Sequence, residues 1–284
     1  MRIITVSMLG VFVLSGLVPS FGQTTKVHHG KKGGEVSVTE VTGPKGGKAV
    51  LATGSGPLGG AGWAAGGTTA SGTKAAAGGF AGPKGTTGQG GVVKNPDGTS
   101  SHAGWVKTAS GSTVTHSGNR DPNTHSAWNT TTMTNQTGST TKIVRGHGAF
   151  TGEDGGKGYG TYKQITFPDG TTRTNGKSAI DINGYKGVQN CTQTRDGTQN
   201  YTFKGKDPNG TYVDYHEVKT ADGQKTTAAA YFNPKTGEWG YYAIDADGNV
   251  VHQNGGNMFD SDETTTDAVE SDNPGTTSSV DGNL

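Results

Sequence analysis

The sequence predicts an all-β protein built from repetitive antiparallel hairpins, either an extended meander or a solenoid-like sheet. Three observations predict it. From about Asn95 onward, turn signals recur every dozen or so residues: Pro96-Asp97-Gly98, Asp121-Pro122-Asn123, Pro168-Asp169-Gly170, Asp196-Gly197, Asp207-Pro208-Asn209-Gly210, Asp222-Gly223, Asn233-Pro234 and Asp247-Gly248. Asp-Gly reaches the positive φ of a tight turn at little cost and proline presets the first corner, which leaves about 8 to 10 residues for each strand. Second, helix signals are nearly absent: beyond the first 22 residues no ten-residue stretch keeps a 3.6 spacing free of Gly, Thr, Asn and Pro. Third, only 29% of residues are hydrophobic and 51 of 284 are glycine, so the composition disfavours one large core.

Residues 1–22 read as a secretory leader. Arg2 precedes the apolar run Ile3 to Val18, and Pro19-Ser20-Phe21-Gly22 offers small residues for cleavage after Gly22. The run is short for a bilayer span and no second one follows, so the expected mature chain has no transmembrane segment. Secretion to the exterior or cell surface is expected, with the periplasm as the alternative.

Residues 23–42 hold one short strand, since Val36 and Val38 alternate with polar neighbours, preceded by a solvated stretch carrying His28 and His29. Residues 43–92 are Gly, Ala, Thr and Lys with no strand or helix periodicity, and read as a flexible linker. A flat glycine-rich layer between β-segments is the alternative. A collagen helix is excluded, because glycine does not fall at every third position between Gly43-Pro44-Lys45 and Gly82-Pro83-Lys84.

Residues 93–259 form the hairpin region. Its first strands are polar on both faces, for example Ser112 to His116. All nine tyrosines lie from Tyr159 onward, so the aromatic-rich part begins near Ile143. There Tyr201 and Phe203 share a face, as do Tyr212, Asp214, His216 and Val218, and Trp239, Tyr241 and Ala243. Cross-strand aromatic pairs are the expected source of stability. Residues 260–284 are acidic, with Asp260, Asp262, Glu263, Asp267, Glu270, Asp272 and Asp281 among Ser, Thr and Gly, and read as a disordered tail.

The turns Asp207-Pro208-Asn209-Gly210 and Asp245-Ala246-Asp247-Gly248-Asn249 resemble those of tyrosine-aspartate (Rhs-type) repeats, which build extended sheets in secreted shells. The likeness covers the turns alone. The tyrosine that precedes the aspartate in that family is missing at both places and the period here is shorter, so no function is carried over.

The formal net charge of +1 gives no reason to expect nucleic acid as a partner. Asp245, Asp247 and Asn249 lack the sixth-position glycine and the glutamate of an EF-hand loop, which makes them a hairpin turn. The histidines are scattered, with no spacing that sets two imidazoles on one strand face. Two carboxylate pairs, Asp214 with Glu217 and Asp181 with Glu238, are the only ones suggested for glycosidase roles, and nothing in the sequence selects them. No nucleophile elbow, P-loop or dinucleotide fingerprint is present. Cys191, the only cysteine, reads as a buried thiol, with an intermolecular bridge as the alternative.

The function expected is that of a non-enzymatic structural or extracellular-matrix protein, without cofactor or metal, that self-associates. The second expectation is a carbohydrate-binding module that presents Trp239, Tyr241 and Tyr212 to polysaccharide.

Overall fold

The computed structural model describes residues 23–30, 33–43, 46–151 and 156–258; the expected leader, 1–22, and the expected disordered tail, 260–284, lie outside them. The described chain forms one 18-stranded sheet without helices, in which every ladder is antiparallel. The first eight strands are β1 (Thr24–His29), β2 (Glu35–Thr42), β3 (Lys48–Ser55), β4 (Ala61–Thr68), β5 (Lys74–Ala81), β6 (Thr87–Lys94), β7 (Ser100–Lys107) and β8 (Thr113–Asp121). Five more run to the aromatic-rich half: β9 (Ser126–Thr134), β10 (Thr140–Thr151), β11 (Lys157–Thr166), β12 (Thr172–Ile182) and β13 (Tyr185–Gln193). The last five are β14 (Gln199–Lys206), β15 (Tyr212–Lys219), β16 (Lys225–Phe232), β17 (Glu238–Ile244) and β18 (Val250–Asn257).

Each strand pairs with its neighbour in sequence, from β1–β2 to β17–β18. No two described strands that are not consecutive touch one another. The sheet is therefore an open single-layer meander, and β1 and β18 each keep one unpaired edge among the described residues.

The turn chemistry sets this architecture. Positive φ among the described residues is confined to fifteen glycines, His125 and Asn183, and from Gly33 to Gly111 the glycines stand thirteen residues apart. The recurring loop is a type I turn closed by a left-handed glycine: at Asn95 to Thr99, the Gly98 amide donates to the Asn95 carbonyl at 3.0 Å and the Asn95 amide to the Thr99 carbonyl at 2.8 Å. Only one residue per loop needs a positive φ, which differs from the two-residue turns that Asp-Gly alone suggests. Asn183-Gly184 is the exception, with positive φ at both residues.

Residues 43–92 are not a linker. They hold β3 to β6 in unbroken register, so the glycine-rich layer is the correct description and the hairpin region starts well before residue 93. The stretch 23–42 likewise holds two strands rather than one, with His28 and His29 in β1 facing opposite sides.

The registers assign every strand residue to one of two faces. We call the face carrying His102, His116, Tyr212 and Trp239 the front, and the one carrying Trp105, Trp128, Tyr162 and Phe203 the back. Neither is covered. Among the described residues Phe203, 7% exposed, is the only buried hydrophobic one, and it lies over the backbone of Gly187 and Gly205 with Tyr185 edge-on at 6.3 Å.

Candidate functional site

The front face of β14 to β18 carries the residues that the sequence singles out. One register row runs Lys206, Tyr212, Phe232, Trp239, Gly256 across five strands. Tyr212 and Phe232 stack with centroids 6.5 Å apart, and the Lys206 ammonium lies 4.4 Å from the Tyr212 ring centre. Trp239 reaches over Gly256, whose missing side chain leaves the indole room against the backbone. Tyr241 stands one row away, hydrogen-bonded through its hydroxyl to His252 Nε2 at 2.6 Å. The structure thus brings Tyr212 and Trp239 into one aromatic strip, adds Phe232 and Lys206 to it, and sets Tyr241 beside it. Phe232 was not visible as a member because its place depends on the β15–β16 register.

Asp214 sits in the row of Tyr241 and is held by Lys204 Nζ at 2.7 Å and by His216 Nε2 at 3.1 Å. Glu217 points to the back face, where Lys225 Nζ lies at 2.8 Å and the Tyr215 hydroxyl donates to it at 2.5 Å. Lys225 first, and then Tyr215, hold the Glu217 carboxyl below its usual range. Tyr215 is itself pushed up, by burial first and then by Glu217. Asp181 is on the front of β12 and Glu238 on the back of β17. Neither carboxylate pair therefore faces a common cleft.

Asp245 Oδ1 accepts the amides of Asp247 at 3.0 Å and Asn249 at 2.8 Å, so its lone pairs serve the turn. The loop Glu153 to Gly156 falls largely outside the described residues. Cys191 is exposed on the back face, which corrects the expectation of a buried thiol; the single layer gives that position nothing to be buried under.

The histidines also depart from expectation. His102, His116, His147, His216 and His252 all stand on the front face, and His102 Nε2 meets His116 Nε2 at 3.0 Å across the β7–β8 hairpin. The pair is fourteen residues apart in sequence, the span of one hairpin, and only the register makes them neighbours. Among the described residues no group of three or more His, Cys, Asp and Glu side chains is gathered at ion-binding distances. No described helix is long and apolar enough to cross a membrane.

A second front-face feature is an open groove of about 420 Å³ floored by Gly78, Gly90 and Gly104, which share one register row, and bordered by Phe80, Val106 and His116. No protein-family model, curated protein or solved structure matches this chain.

Proposed function

We propose that this protein is a secreted, non-enzymatic scaffold of a cell surface or extracellular matrix, and that it extends by pairing with further copies of itself. The observation that carries the reading is the single open layer, with neither face covered and with β1 and β18 each paired on one side alone among the described residues. Bare edges pair readily with other strands.

The arrangement suits head-to-tail growth. Because the strand number is even, β18 runs opposite to β1, so a second copy placed by simple translation continues the antiparallel alternation. Such a contact does not close on itself and gives open assemblies. Charge favours the same order: Lys26, Lys31 and Lys32 lie in and just after β1, and seven carboxylates follow β18 in sequence.

Sedimentation velocity over a concentration series tests this. Growing β-rich species are expected, and placing lysines on the same face of both edges, with Val27→Lys and Gln253→Lys together, is expected to suppress growth through like-charge opposition. A monomer unchanged over the whole series would contradict self-association, and a hydrolytic activity lost on changing one carboxylate would contradict the non-enzymatic reading.

A second reading is favoured by the strip Tyr212, Phe232 and Trp239, whose spacing along a flat face suits stacking on sugar rings. Under it, Trp239→Ala and Tyr212→Ala abolish retention on insoluble polysaccharide while the β-signal in circular dichroism is unchanged. Loss of that signal would instead assign the rings to packing.

A further inference from the structure

We propose that His102 and His116 form a two-imidazole chelate for a divalent first-row transition ion, with copper(II) preferred. The two residues lie on the front of β7 and β8, one register step off each other: His102 is opposite Gly118, and His116 is opposite Gly104. Glycine at 118 is what lets the rings meet, since a methyl there would lie 2.7 Å from His102 Cε1. The side chain of Asn129, opposite Gly118 on β9, leans into the same space and brings an amide oxygen beside the pair.

Thr131, directly opposite His116, sits 2.9 Å from its Nδ1. When that Nδ1 carries the proton and donates to Thr131 Oγ1, His116 Nε2 is left with a free lone pair, the tautomer that ligation at Nε2 requires. A hydrogen bond from the second ring nitrogen commonly fixes a ligating imidazole in this way. The opposing Nε2 atoms are 3.0 Å apart. At metal–nitrogen distances of about 2.0–2.1 Å that separation subtends roughly 95° at the ion. This is a cis angle of tetragonal coordination, narrower than a tetrahedral one, and mixed nitrogen and oxygen sets of that geometry suit copper(II) or nickel(II). Water completes the set. Arg120 and Lys94 lie one row away on the same face, so the site takes a cation through its lone pairs and not through surrounding negative charge.

The test is calorimetric titration of the purified protein with copper(II) alone and with zinc(II) alone, joined by electron paramagnetic resonance of the copper form. One tight copper ion per chain is expected, with two-imidazole coupling in the spectrum and weaker zinc binding. His102→Ala and His116→Gln should each weaken copper binding at least tenfold and leave the far-ultraviolet circular dichroism unchanged, both side chains being exposed. Thr131→Val, which removes no ligand, should weaken it about tenfold or more through the lost orientation of His116. Equal affinity of the wild type and a His102→Ala/His116→Gln double variant would overturn the proposal, as would a spectrum with a single imidazole.

Discussion

Glycine and aromatic residues act as one unit in this sheet. Trp63 lies on Gly79, Phe80 on Gly88, Trp128 on Gly146, Phe150 on Gly158, Tyr231 on Gly240 and Trp239 on Gly256, and in each case the two residues are direct cross-strand partners. With no second layer to pack against, a ring loses water on one face by lying across the bare backbone next to it, and a Cβ there would lift it off. Gly146→Ala should therefore destabilise the protein by about 1–3 kcal/mol, the usual cost of forcing an extra methyl into a filled space. At Gly176 the ring of its cross-strand partner Tyr162 stands off, with Cδ2 3.9 Å from where a Cβ would sit, and a Cβ would meet nothing closer than 3.7 Å. Gly176→Ala should stabilise by about 0.5–1 kcal/mol through backbone entropy alone. Urea titrations of the two variants, read by tryptophan fluorescence and circular dichroism, check the opposite signs.

The same unit explains why the segment 43–92 was hard to read. Strand patterns are recognised from alternation of apolar and polar residues, which is strong only where the two faces carry different kinds of side chain. Ala61 to Thr68 and Thr87 to Lys94 face solvent on both sides, so glycine and alanine occupy either face without alternation. The legible signal was elsewhere, in Gly-Pro-x-Gly at 43, 56 and 82, which continues the thirteen-residue spacing of the downstream turns. Alternation did place Tyr212 and Trp239 on their faces. The meeting of Tyr212 with Phe232, or of His102 with His116, needs the register of two strands, and no single-strand pattern carries that.

At the scale of the hairpin, the loops hold the register and also hold one another. Loops two hairpins apart lie side by side at the same end of the sheet: Arg195 pairs with Asp169, donates from Nε to Thr171 Oγ1 at 3.1 Å and covers the Phe167 ring at 4.5 Å. Within its own loop Asp169 accepts the Thr171 hydroxyl at 2.5 Å and the Thr171 amide at 3.0 Å. The Thr171 hydroxyl first, and Arg195 next, lower its carboxyl to about 2. Asp97, Asp196 and Asp222 are lowered by threonine hydroxyls in equivalent loops, and Asp245 by the Asn249 amide.

A carboxyl whose value is depressed on folding adds stability that is complete above its unfolded value, near 3.8, and is lost as pH falls through the folded one. Thermal melts should therefore hold steady from neutral pH to about 5 and drop between about 4 and 2, and Asp169→Asn should flatten part of that drop. His125 occupies the left-handed position that glycine takes in the other loops, at φ 51. His125→Gly should raise the melting temperature, whereas Gly170→Ala, at φ 81, should lower it by the equivalent of about 1–2 kcal/mol.

Across the described strands, stability is mainly a sum of neighbour-to-neighbour terms, because no described strand touches any but those next to it in sequence, and loop contacts such as Arg195–Asp169 reach one hairpin further. Folding of this kind is expected to behave as in other linear arrays, fraying from the ends inward. The ends are also where the scaffold reading places its joints. In that reading Lys26, His28 and His29 make β1 the basic side of the joint, while β18, which ends in Asn-Gly-Gly-Asn after a register shift at Ala243 and Ile244, is the side followed in sequence by the carboxylates. Composition alone made a covered core improbable; that the sheet stays open and does not roll up follows from the ladders, and the turn rhythm is compatible with either outcome.

Small-angle X-ray scattering, extrapolated to zero concentration, tests this most directly. Eighteen strands in one open layer, at roughly 4.8 Å spacing, span roughly 80 Å and give a plate one layer thick with a radius of gyration of roughly 25 Å. That plate is the predicted result. A compact particle near 18 Å, the value for a globular chain of about this size, would mean that the faces are covered and the edges closed, and would contradict the account.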